Sequence, residues 1–167
     1  MGGVDPLADG TAAADVIGVL TGRGQTLAAA ESLTAGLFCA TVAGVPGASA
    51  VLRGGLITYA TDLKASLADV PVDTLDAVGP VAADTARAMA TGAKKRCGAD
   101  WAVALTGVAG PTPQNGHPVG EVWCAIARPD HGVVVKQLDI GADAGRWGIR
   151  TAAVARALDL LATELDR

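Results

Sequence analysis

Aromatic residues are scarce in this chain of 167 residues: three Trp, one Tyr and one Phe. Half of the residues are nevertheless hydrophobic, with a mean hydropathy of +0.37. Much of the apolar content is Ala and Val, which suits closely packed helices and buried strands. Histidine is as sparse. His117 and His131 are the only two, both in expected loops, and read as solvated loop histidines. That leaves no convincing base for a Ser-His-Asp triad. No HExxH sequence or Cys/His cluster offers a metal site, so none is expected. The three cysteines, Cys39, Cys97 and Cys124, are scattered, odd in number and without CxxC spacing. They make no disulfide framework and point to a reduced, cytoplasmic protein. Cationic excess is missing too: 13 Lys and Arg face 17 Asp and Glu, a net charge of -4, so no basic surface invites nucleic acid. No apolar run approaches the roughly 20 residues of a membrane span, and no membrane association is expected. The first residues have neither a basic nor an apolar signal region, and Pro6 stands where a myristoylation signal has Ser or Thr. Gly22-Arg23-Gly24 lacks the third glycine of a dinucleotide loop, and no Walker lysine follows a glycine loop.

The length favours one domain with its own core. The reading is a single domain over 1–167, with 1–11 as a flexible lead. Apolar periodicity and breakers predict a helix from about 12, ended by Gly22 and Gly24, then a strand over 26–30 and a helix over 34–43. A strand over 55–60 precedes a short helix through 68, capped by Thr61. Residues 70–80 read as an irregular connection with a helical piece near Asp73. A clear helix covers 82–97, ended by Gly98, and a buried strand covers 101–105. Strands over 120–127 and 133–138 form an antiparallel hairpin. A last helix runs from about 144 to 165. Helices alternating with strands before a hairpin indicate an α/β fold: a three-layer α/β/α domain with a mixed sheet.

The segment Ala30-Glu31-Ser32-Leu33-Thr34-Ala35-Gly36 lies at a strand-to-helix junction. The first N–H groups of a helix have no intrahelical partner and stabilise negative charge. A nucleophilic serine uses that setting, and so does a plain helix cap. Without a histidine base, the partner for Ser32 would be a lysine of lowered pKa. Lys64 is the candidate, five residues after the only tyrosine, Tyr59, in the first turn of a helix whose dipole opposes its charge. The alternative is an exposed lysine beside a packed tyrosine. Thr106-Gly107-Val108-Ala109-Gly110-Pro111 follows a buried strand, where small residues permit close approach to a ligand or simply form a tight turn. Arg146 and Arg150, four apart on one helix face, either bind a phosphate or carboxylate or form a solvated face.

Taken together, these segments resemble the CinA C-terminal domain family, whose characterised activity is nicotinamide mononucleotide deamidation. The resemblance runs from about Asp15 to Leu161. It includes Val45-Pro46-Gly47-Ala48-Ser49, Gly54-Gly55-Leu56-Ile57-Thr58-Tyr59, Lys64, the 106–111 segment and Pro118-Val119-Gly120. It implies Ser32 as nucleophile with Tyr59 and Lys64 as catalytic partners. It implies substrate contacts from Glu31, Thr34, Gly36, Thr106, Gly107, Ala109, Gly110 and Arg146. It implies no cofactor, a small-molecule nucleotide substrate and a homo-oligomer, dimer or higher. The chain looks like the stand-alone form, without the larger N-terminal domain of many relatives.

Three segments depart from the family's pattern. Thr112-Pro113-Gln114-Asn115-Gly116 replaces an acidic residue and two glycines. His117 replaces a lysine, and Ala144-Gly145-Arg146 replaces Gly-Asp-Arg. The implied reaction is amide hydrolysis by a Ser-Lys dyad. Helix-start N–H groups near Ser32 would hold the oxyanion, and Tyr59 would relay a proton or tune Lys64. Two other readings are an amidohydrolase for a different amide and a non-catalytic nucleotide-binding or assembly domain.

Overall fold

Strand alternation organises this molecule. In the computed structural model, which describes Gly3 and residues 5–167, β1 (Leu27–Glu31) is buried along its whole length. Leu27 and Ala29 face one core, while Ala28 and Ala30 face the other. The same parity holds in β3 (Trp101–Gly107), where Trp101, Val103 and Leu105 oppose Ala102 and Ala104. A strand buried on both faces needs helices on both sides. The sheet runs β2-β1-β3-β4-β5, with β2 (Leu52–Ile57), β4 (Glu121–Ala127) and β5 (Val133–Asp139). The first three strands in that order are parallel; β4 pairs antiparallel with β3, and β5 pairs antiparallel with β4. The domain is thus a three-layer α/β/α unit with a mixed sheet, as the alternating pattern implies.

One layer holds α1 (Ala13–Arg23), α2 (Leu37–Ala43) and α6 (Gly145–Leu165), over the larger side chains. The other holds α3 (Thr61–Ala68), α4 (Val72–Val78) and α5 (Ala83–Cys97), with α5 lying on an almost purely alanine sheet face. Ala86, Met89, Ala90 and Ala93 of α5 meet Ala28, Ala30, Ala102, Ala104, Ala125 and Ala127. The β1–β2 connection therefore crosses one face, and the β2–β3 connection crosses the other. The carboxyl ends of β1 and β3 lie side by side at that switch point, the usual ligand crevice of an open α/β sheet.

Several boundaries differ from those expected. The strand expected over 55–60 spans Leu52–Ile57, because its partner is β1 in parallel register, from Leu27 opposite Leu52 to Glu31 opposite Ile57. Thr61 is the first residue of α3, after Ala60 in extended conformation, and provides no side-chain cap. Gly22 lies inside α1, which Gly24 ends in the left-handed region. The helix expected from 34 begins at Leu37. Residues 33–36 instead form turns, with Ala35 (φ 47°) and Gly36 (φ 97°) left-handed. Of the stretch expected as a flexible lead, Met1, Gly2 and Val4 lie outside the described residues. Residues 6–10 form turns, with two anchors: the Asp5 N–H donates to Gly44 O (3.0 Å), and Ala8 is buried in the α1–α2–α6 core. Among the described residues no helix is long and apolar enough to cross a membrane.

Candidate active site

Parity decides what the residues after Ala30 do. Glu31 follows Leu27 and Ala29 onto the α2 face, and Ser32 follows Ala28 and Ala30 onto the α3–α5 face. The ladder continues through this point: Ser32 N–H donates to Leu105 O and Thr58 N–H to Glu31 O, each at 2.9 Å. The Glu31 side chain is buried and turns to the start of α2. Its Oε1 accepts the N–H groups of Phe38 (2.6 Å) and Cys39 (3.3 Å). Burial pushes the Glu31 carboxyl above its ordinary range, against the opposing pull of those N–H donors. The helix cap of this junction is therefore Glu31, not Ser32. This corrects the expectation that α2 offers its first N–H groups to an oxyanion beside Ser32, since Glu31 already occupies two of them.

Ser32 faces Lys64, which α3 buries with only 1% of its surface exposed. Lys64 Nζ lies 3.0 Å from Ser32 Oγ and donates to Thr58 O (2.8 Å) and, more weakly, to Tyr59 O (3.4 Å). Burial lowers the Lys64 pKa from 10.5 to about 8. Desolvation is the cause, rather than the helix dipole that its position suggests. A neutral amine has two hydrogens and one lone pair. With both hydrogens on the Thr58 and Tyr59 carbonyls, the lone pair is left for the Ser32 hydroxyl.

One cavity of about 220 Å³ gathers most of the expected residues: Ser32, Tyr59, Lys64, Thr106, Gly107, Ala109, Gly110 and Arg146 all line it. They come from the carboxyl ends of β1, β2 and β3 and the loops that follow them, from α3 and from the first turn of α6. Thr106 Oγ1 donates to Pro80 O (2.6 Å), which ties β3 to the lead into α5. Tyr59 meets Lys64 through its main-chain carbonyl. Its exposed ring instead receives a hydrogen bond at the hydroxyl from Arg146 Nη2 (3.0 Å), and Arg146 Nη1 donates to Gly110 O (2.5 Å). The expectation that the phenol tunes Lys64 directly is corrected accordingly.

Glu31, Thr34 and Gly36 do not line the cavity. Thr34 is wholly buried, and Gly36 supplies the left-handed turn before α2. Arg150 is not in the cavity either. Its guanidinium donates to Leu33 O (2.9 Å) and Thr34 O (3.2 Å), so it braces the turn after Ser32. His117, expected as a solvated loop residue, pairs through Nδ1 with the Glu121 carboxylate (3.0 Å). Sequence reasoning missed Leu33 and Pro80, while the 112–114 wall belongs to the loop already marked as departing from the family's pattern. Counting parity along β1 would have separated Glu31 from Ser32; nothing in the sequence signals the target of Arg150.

Fold and site together define an α/β domain with a buried serine–lysine pair at the carboxyl ends of its parallel strands. The comparisons with known proteins bear on the fold and the family. The sequence model of the CinA C-terminal domain matches residues 9–165, and the chain belongs to that family. A CinA-like protein of Frankia casuarinae is 46% identical over 160 residues, covering 96% of this chain but 35% of the relative. The chain thus spans about a third of the length of that relative. The crystal structure of competence/damage inducible protein CihA from Agrobacterium tumefaciens superposes with a TM-score of 0.88 at 36% identity, covering 93% of this chain and 94% of that one. A CinA superfamily protein from Klebsiella pneumoniae superposes equally well, with a TM-score of 0.88 at 27% identity, covering 93% and 96%.

Proposed function

We propose that this domain hydrolyses the carboxamide of nicotinamide mononucleotide, releasing ammonia and leaving the nicotinic acid mononucleotide. The observation that carries this reading is the hydrogen bond between Lys64 Nζ and Ser32 Oγ inside a cavity that Arg146 also lines. Neutral Lys64 takes the Ser32 proton as Oγ attacks the carboxamide carbon. The C–N bond then breaks, and the proton held on Lys64 leaves with ammonia. Water attacks the resulting ester, again giving a proton to Lys64, and Ser32 is regenerated with the carboxylic acid released. Tyr59 O–H, already an acceptor from Arg146, keeps its own proton to donate to substrate or leaving group. Arg146, held between Tyr59 and Gly110, supplies the charge that suits a phosphate.

The oxyanion needs donors other than the occupied start of α2. The N–H groups of Leu33 and Thr34 have no acceptor among the described residues, although both residues are buried. Buried N–H groups without partners are rare. The N–H of the residue after a nucleophilic serine is a recurring oxyanion donor. The reading is tested by ammonia release from nicotinamide mononucleotide, with nicotinamide and glutamine as controls. Ser32→Ala is expected to bind the nucleotide and to fall to background turnover. Near-normal turnover in that variant overturns the reading.

A second reading, hydrolysis of a different amide, is favoured by one observation. Thr112, Pro113 and Gln114, which depart from the family's pattern, line the cavity wall. Ammonia release from other amides in the same assay, with nicotinamide mononucleotide inert, would establish it.

A further inference from the structure

We propose that Arg150 is a positioning residue, holding the Leu33 and Thr34 N–H groups where they receive the oxyanion on attack by Ser32. The proposal rests on the serine-nucleophile reading above and adds the means by which its turn is held. A trans peptide points its C=O and N–H in opposite directions, so fixing one fixes the other. Arg150 Nε holds Leu33 O, which sets the Leu33–Thr34 peptide and hence the Thr34 N–H. Arg150 Nη2 holds Thr34 O, which sets the next peptide, and its N–H at Ala35 donates to Ser32 O at 3.1 Å. That bond in turn sets the Ser32–Leu33 peptide and hence the Leu33 N–H. One guanidinium therefore governs both unpartnered N–H groups beside the serine.

The turn requires such a brace. Residues 33–36 belong to no helix or strand, and Ala35 is left-handed at φ 47°, a conformation that a residue with a Cβ rarely adopts. Arg150 itself is well held. It sits one turn after Arg146 on the 21-residue α6, half-buried, with its guanidinium 5.8 Å from the Trp147 ring centre. A lysine there would keep the charge but could not span two successive carbonyls with a planar fork. Bracing the turn is a different task from direct anion binding, which belongs to Arg146 in the cavity.

The experiment measures covalent labelling of Ser32 by a fluorophosphonate, followed by intact-protein mass, in the wild type, Arg150→Ala and Arg150→Lys. Labelling requires both the nucleophile and oxyanion donors but does not depend on which amide is the substrate. The expected result is a labelling rate reduced about 100-fold in Arg150→Ala, the usual scale for a lost oxyanion donor. Arg150→Lys should fall between, and millimolar guanidinium should restore part of the Arg150→Ala rate. In the ammonia assay the loss should fall on kcat, with KM within a few-fold and the pH midpoint near 8 retained, because Lys64 is untouched. Equal labelling rates in wild type and Arg150→Ala overturn this proposal alone. So does a loss confined to KM, which would make Arg150 an anion site. No labelling of wild-type Ser32 overturns the serine reading and this proposal with it. If Arg150→Ala does not fold, Arg150→Lys decides, and wild-type rates in it count against the proposal.

Discussion

In the proposed reaction Lys64 is the residue on which the chemistry turns, and its burial has two consequences with pH. A general base must be unprotonated, so kcat/KM is expected to rise with pH and level off above about 8, the value to which burial lowers the amine. A profile flat through that region would remove Lys64 as the base. Stability responds through the same proton. Between about 8 and the ordinary 10.5, the unfolded chain still holds a proton that the folded protein has released. Folding stability therefore rises with pH across that window, and the full cost of burying the charge is felt below it. Lys64→Met removes this dependence. Denaturant unfolding at pH 7 and pH 10 should find the variant's stability relative to wild type best at pH 7 and worse at pH 10. Glu31 shows how far a neighbour can differ. One position from Ser32, it faces the other core and caps α2. Glu31→Ala should cost about 1–2 kcal/mol, at the upper end for a lost cap because the N–H groups of Phe38 and Cys39 are left unpaired.

Among the elements, α3 has the narrowest tolerance, because it carries Lys64 and is seated by a single glycine. A Cβ on Gly92 of α5 would lie 1.6 Å from Ala68 O, in the last turn of α3. Backbone cannot yield there as a flexible side chain can. Gly92→Ala is expected to destabilise by about 1–3 kcal/mol, measured by denaturant unfolding, despite alanine's better helix propensity. It should also lower kcat, since any retreat of α3 lengthens the Lys64–Ser32 contact. Unchanged stability and turnover would mean that α3 has room to move. The short α2 shows the converse. Its start at Leu37 rather than at 34 frees residues 33–36 to form the turn beside the serine.

At the scale of the whole molecule, the two faces of the sheet are built differently and should fail differently. The α5 face is alanine against alanine, so enlargement harms it. The α6 face carries Val, Leu and Ile, so shrinkage harms it. Ala104→Leu should cost about 1–3 kcal/mol by overpacking and reduce kcat, because α5 and with it α3 are lifted from the sheet. Leu158→Ala, wholly buried on α6, should cost about 2–5 kcal/mol through the cavity it leaves, with kcat of the folded protein little changed. Thermal unfolding paired with ammonia release on the same samples separates the two outcomes.

Much of this architecture is local and therefore legible in the sequence. Periodicity marks the helices read as 82–97 and about 144–165, β-formers and turn residues mark the hairpin, and the lack of a plausible histidine base points from Ser32 to Lys64. Such signals need only neighbours in sequence. What they do not reach are pairings over distance. The register of β2 on β1 moves a strand by three residues. The carboxylate of Glu31 takes the helix start expected to serve Ser32. Arg150, 117 residues from Leu33, turns from a surface cation into a brace. Residue types alone establish which chemistry is possible. Only the packed chain decides which face each side chain takes, because parity on a strand and reach across the core are properties of the fold and not of any segment within it.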